Sequence, residues 1–149
     1  MSVTFAHVIR LLLAAPALIV SLAGPAQGAS QTPTLAASDS SAEEEIVVKI
    51  RARSFEPATV TLHALRRTRL VLVNLDAELH AFVPGELFAG VNLNITGSGA
   101  PEFGADGFKR VIIPSNGRAE IRFVPERPGT YPYFCDMPGH EMKATIVVQ

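Results

Sequence analysis

Residues 129–143 read Gly-Thr-Tyr-Pro-Tyr-Phe-Cys-Asp-Met-Pro-Gly-His-Glu-Met-Lys. A thiol (Cys135), an imidazole (His140) and two thioethers (Met137 and Met142) are concentrated in this one stretch. Residues 130–135 are rich in aromatics and read as a strand, and the apolar run 145–148 reads as another. Pro138-Gly139 signals a tight turn between them. Both Cys135 and His140 can therefore point at one spot at the end of a sheet. Thiolate and thioether are soft donors and imidazole is intermediate, a combination that favours copper among the common metals. A site of two histidines and one cysteine needs a second histidine from elsewhere in the chain.

Working backwards, His80 is the candidate. It follows Asn74-Leu75-Asp76-Ala77-Glu78-Leu79, just after the apolar run 70–73. His63 alternates with Val60, Leu62 and Ala64 on the polar face of a predicted strand and reads as a surface residue. Strict alternation also marks residues 46–53 and 119–123, and shorter apolar runs lie at 79–83 and 111–113. Turn signals separate them at Glu56-Pro57, Pro84-Gly85, Pro114-Ser115-Asn116-Gly117 and Arg127-Pro128-Gly129. No stretch after residue 45 has convincing helical periodicity. About eight short strands then predict an antiparallel β-sandwich or barrel. Residues 85–108, with Gly97, Gly99, Gly104 and Gly107, read as a long loop with at most one helical turn. The sequon Asn94-Ile95-Thr96 is a weak, chance-prone signal.

The N-terminus differs in kind. Residues 11–23 are almost wholly apolar, Arg10 precedes them, and small residues follow at 24–30. This is the pattern of a secretory signal peptide. The run is shorter than the ~20 residues a spanning helix needs, so no stable membrane span is expected. Ala26 and Gly28 suit cleavage after Gly28, with a cut after Ala26 as the alternative. Residues 29–45 are dominated by Ser, Thr, Ala and acids and read as a flexible linker. The expected organisation is a leader at 1–28, a linker at 29–45 and one domain at 46–149. Part of the mean hydropathy of +0.26 belongs to the leader.

Composition excludes several functions. A formal charge of −1 gives no basic excess for nucleic acid. One cysteine allows no intrachain disulfide. In an exported chain it should be a free thiol, an intermolecular partner or a metal ligand. Taken singly, Cys135 reads as a small buried hydrophobe, His140 as a turn residue and Met142 as core. Their clustering is what points to a metal. His140-Glu141 opens like a zinc-protease motif, but Ala144 stands where its second histidine belongs. Too few histidines remain for a second copper centre, and no hydrolase or P-loop pattern occurs, so no enzyme is expected.

The chain resembles the cupredoxins, the small blue-copper family that includes azurin, plastocyanin and amicyanin. Carrying the resemblance are Phe55-Glu56-Pro57, the Asn-x₅-His element ending in His80, the Pro-Gly-Thr-Tyr approach to Cys135, and Cys-x₄-His with Pro-Gly inside. It implies a Greek-key sandwich and one mononuclear copper held by His80, Cys135 and His140. It also implies an axial methionine two to four positions past the second histidine. Met142 is two positions past His140. That loop is short for the family, which leaves Glu141 or a backbone carbonyl as alternative axial neighbours. Ala81 stands where many members carry an Asn that ties the ligand loops together. The resemblance further implies an exposed His140 edge, ringed by Met137, Pro138 and Met142, as the electron exit.

The function expected on this basis is an exported, periplasmic or extracellular monomer. It would carry single electrons between larger redox proteins by transient docking. The alternatives are periplasmic copper storage or delivery, and a binding module of a metal-uptake system. Zinc, held by the same three residues and a carboxylate, is a rival metal.

Overall fold

The computed structural model describes residues 42–149. The expected leader and most of the expected linker lie outside the described residues. Eleven strands follow one another: β1 Glu44–Arg51, β2 Ser54–Glu56, β3 Thr59–Leu62, β4 Thr68–Asn74, β5 His80–Phe82 and β6 Asn94–Gly97. Then come β7 Ala100–Gly104, β8 Gly107–Ile113, β9 Arg118–Phe123, β10 Gly129–Phe134 and β11 Lys143–Val148. One sheet has the order β2-β1-β4-β9-β6. Two three-stranded sheets, β10-β11-β3 and β5-β8-β7, are linked by a bridge between Val83 and Phe134.

The expected all-β sandwich is present. The core lies between these layers because β1, β3, β9 and β11 alternate and β4 and β5 are buried almost throughout. Val48 and Ile50 of β1, Leu70 and Leu72 of β4, and Ile121 of β9 face Leu62 of β3, Ile146 of β11 and Ile113 of β8. An aromatic chain crosses it: Phe55 meets Tyr133 at 4.8 Å, Tyr133 meets Phe82 at 5.1 Å, and Phe88 meets Phe123 at 4.8 Å between ring centroids. On β4, Val71 is also buried, so the apolar run is covered on both faces as predicted.

Three strands beyond the expected eight are short or sit at sheet edges. β2 is three residues long and closes a hairpin on β1. β6 and β7 are edge strands, mostly exposed, so they carry little apolar alternation. Pro101 is tolerated in β7 because an edge strand leaves backbone groups unpaired. Both fall in the segment expected to be irregular. The remainder of that segment is a run of tight turns after Pro84 that delivers Leu87 and Phe88 to the core. The sheets are also not purely antiparallel. β1 pairs parallel with β4, and β11 pairs parallel with β3. Pairing partners distant in sequence leave no local mark. β1 begins two residues before the domain boundary expected at 46.

The β1–β2 hairpin turns on Ala52 and Arg53, with φ of 50° and 56°. Positive φ at both central positions is the type I′ geometry that normally selects Asn-Gly. For other residues it costs roughly 1–2 kcal/mol each. The conformation is held by groups outside the hairpin.

Candidate metal centre

His80, Cys135 and His140 meet at one end of the sandwich. His80 is the first residue of β5 and is locked in register opposite Ile113 of β8. Cys135 directly follows β10. His140 sits in the β10–β11 loop, where its amide donates to the carbonyl of Met137 at 3.0 Å. Gly139 has φ of 76°, a value that favours glycine and makes this reversal possible. The Cys135 amide donates to the carbonyl of Met142 at 3.1 Å and closes the loop.

The donor atoms face one another. Cys135 Sγ lies 3.4 Å from His140 Nδ1 and 4.0 Å from His80 Nδ1. One ligand atom from each of the three residues falls within 4.8 Å of the others. The two imidazole rings are 4.8 Å apart between centroids. His80 is fully buried, Cys135 is 3% exposed, and Met142 is 4% exposed. Met142 and Glu141 both line the same cleft as Cys135 and His140, Met142 buried and Glu141 exposed. The Ala81 amide donates to Cys135 Sγ at 3.3 Å. A backbone N–H thus approaches the sulfur even though the expected Asn is missing. His63, the remaining histidine of the domain, pairs with Glu44 at the surface, as its alternation predicted.

The opposite edges of both imidazoles meet carboxylates. His80 Nε2 lies 2.9 Å from Asp76 Oδ2. His140 Nε2 lies 3.6 Å from Glu78 Oε2, and His80 Nε2 lies 4.0 Å from Glu78 Oε1. Arg53 grips Glu78 through two hydrogen bonds of 2.6 and 2.7 Å. That grip is the main reason the Glu78 carboxyl is held below its usual range. The Asp76 carboxyl is also held low, first by the Arg53 amide, with the Ala52 amide and His80 adding to it. Asn74, fully buried, organises the loop between. Its side-chain amide donates to the carbonyls of Glu78, Ile113 and Pro114, and its oxygen accepts from the Asp76 amide.

This geometry corrects one expectation. The His140 side chain is only 6% exposed, because Glu78, fixed by Arg53, lies across its Nε2 edge. Met142 is buried beside the cysteine and does not ring an exposed edge. Asp76, Glu78 and Arg53 escaped the sequence reading. Acidic residues at the fourth and second positions before His80 were the available signal. Arg53 gave none, since it lies 25 residues from Glu78.

Two imidazoles, a thiol and a nearby thioether, all shielded from water, fit a soft, one-electron metal better than a hard cation. The cupredoxin-like domain family model matches residues 12–148, and the chain belongs to that family. No curated protein sequence matches it. Among solved structures it is similar to auracyanin A, described as a "blue" copper protein from the green thermophilic photosynthetic bacterium Chloroflexus aurantiacus. The TM-score is 0.54 at 17% identity, covering 72% of this chain and 100% of that one. Auracyanin B gives 0.54 at 22% identity, covering 71% and 88%. At these identities the likeness concerns the fold.

Proposed function

We propose that the protein binds one copper ion through His80, Cys135 and His140, with Met142 as the axial neighbour, and carries single electrons between larger redox proteins. The observation that carries this reading is the convergence of one ligand atom each from His80, Cys135 and His140 within 4.8 Å of one another in a largely buried pocket. Copper, when bound, supplies the one-electron couple. The chain's own residues hold the donors on two segments of the sandwich, β5 and the β10–β11 loop, so little has to move when the charge changes. They also exclude water from the thiolate. The proposed chain organisation is a cleaved leader at 1–28, a linker at 29–45 and a domain at 46–149. Such a protein works as a monomer in the periplasm or outside the cell, without catalysing bond chemistry. Among the described residues no helix is long and apolar enough to cross a membrane.

Zinc is less well served. Its fourth ligand would be a carboxylate. Asp76 and Glu78 lie against the Nε2 edges, and the carboxylates at the cleft of Cys135 and His140 are the solvent-exposed Asp136 and Glu141, whereas the thioether of Met142 is buried there. Copper storage or delivery asks for an exchangeable site, and the burial of His80, Cys135 and Met142 counts against it. Adding Cu(II) to the purified protein should give intense visible absorption and a narrow EPR hyperfine splitting. Cys135→Ala should abolish both. Undiminished colour in that variant would sink the proposal, and tight Cu(I) binding with no stable Cu(II) form would favour delivery.

A further inference from the structure

The contact between His80 and Asp76 is more than a surface ion pair. His80 is fully buried, and an ionised carboxylate can only accept hydrogen bonds. A proton therefore sits on Nε2, and Nδ1 is the ring nitrogen that faces Cys135. The carboxylate itself is held by two backbone donors, and the Asp76 backbone by a third contact. The Ala52 amide donates to Oδ1 at 2.8 Å, the Arg53 amide donates to Oδ2 at 3.0 Å, and the Asp76 amide is bound by Asn74. The turn that supplies two of these donors is the one with positive φ at two residues that disfavour it. Backbone strain that persists at a site is over-determined by its surroundings. Here the surroundings are the carboxylate that faces the histidine.

We propose that Asp76 is a positioning residue for His80, clamped by the Ala52–Arg53 turn, which fixes the tautomer and strengthens Nδ1 as a donor to the oxidised metal. This rests on the copper reading above. A carboxylate behind a metal-bound histidine raises the basicity of the ligand. The added negative charge favours the more highly charged metal, so Asp76 stabilises Cu(II) over Cu(I). Glu78 does less, because Arg53 already neutralises it through two hydrogen bonds.

The test is Asp76→Asn in the full chain, read in three ways. Cu(I) and Cu(II) affinities are measured by competition, the reduction potential by redox titration, and the His80 Nε2 proton by NMR of the metal-free protein. The variant should keep its Cys135-dependent colour. Its preference for Cu(II) over Cu(I) should fall roughly 10–100-fold, and each tenfold raises the potential by about 59 mV. The metal-free wild type should show a protected His80 Nε2 proton that shifts in the variant. Equal losses of both affinities with no change of potential would show a merely structural role and overturn the proposal. So would a wild type with no protected Nε2 proton. If the wild type gives no Cys135-dependent colour, the copper reading has failed, and the NMR arm still decides whether Asp76 holds His80.

Discussion

At the scale of single residues, the site depends on a polar group that touches none of the donor atoms. Asn74 is fully buried and satisfies three carbonyls and one amide around the loop that carries Asp76 and Glu78. Removing a partner from a buried polar group costs the desolvation of whatever it leaves unpaired. Asn74→Ala strands several groups at once and should lower the stability of the metal-free protein by about 3 kcal/mol, read from urea denaturation. Copper affinity should fall with it, since the loop that orients His80 loosens. A loss below about 0.5 kcal/mol would mean that water satisfies these groups equally well. Asn74 was visible in the sequence as the start of the Asn-x₅-His element. Its role was not, because its acceptors Ile113 and Pro114 lie about forty residues away. Cys135 and His140 were legible for the opposite reason: both stand in one loop, and their spacing states their geometry.

At the scale of elements, the β1–β2 hairpin links ordinary folding to the site. The sequence Ala52-Arg53 does not announce a type I′ turn, and the alternation through residue 53 hid the break between the two strands. What fixes the turn is Asp76, which accepts both of its amides. The contact uses backbone, so a change that relaxes φ without removing an N–H should help. Ala52→Gly removes about 1–2 kcal/mol of left-handed strain. It also adds roughly 0.5–1 kcal/mol of unfolded-chain entropy. The net expectation is stabilisation of about 0.5–1 kcal/mol, seen as a Tm higher by a few degrees. The spectrum should stay unchanged, because the Asp76 contact survives. A destabilised variant would show that the Ala52 methyl contributes packing that outweighs the strain. The edge strands make the complementary point. β6 and β7 were unreadable because an exposed edge needs no apolar alternation, whereas β4, buried on both faces, was plain.

At the scale of the whole described region, the metal loop is tied to the far edge of the sandwich by charge. Arg110 on β8 bonds Glu102 on β7 at 2.8 and 3.0 Å, and bonds Asp136, next to Cys135, at 2.8 Å. The Arg110 guanidinium holds the Glu102 carboxyl below its usual range, and Glu102 together with Asp136 pushes Arg110 upward. A carboxyl with a lowered native pKa adds stability that is complete above its unfolded value. That stability is lost as pH falls through the native one. Arg110 stays charged throughout, so the pH dependence belongs to Glu102. All of these groups are partly exposed, and the effect is correspondingly small and weakened by salt. Arg110→Gln should therefore be less stable than wild type near neutral pH. Its stability should also fall less steeply on acidification, so that the two curves converge in acid. Urea midpoints measured from neutrality down to about pH 3 at low ionic strength would show this. Parallel curves would mean that Arg110 acts through the packing of its hydrocarbon stem. Because Asp136 adjoins Cys135, the same variant tests whether the anchor reaches the site. Copper should dissociate from it faster than from the wild type at neutral pH, and the difference should shrink as salt is added.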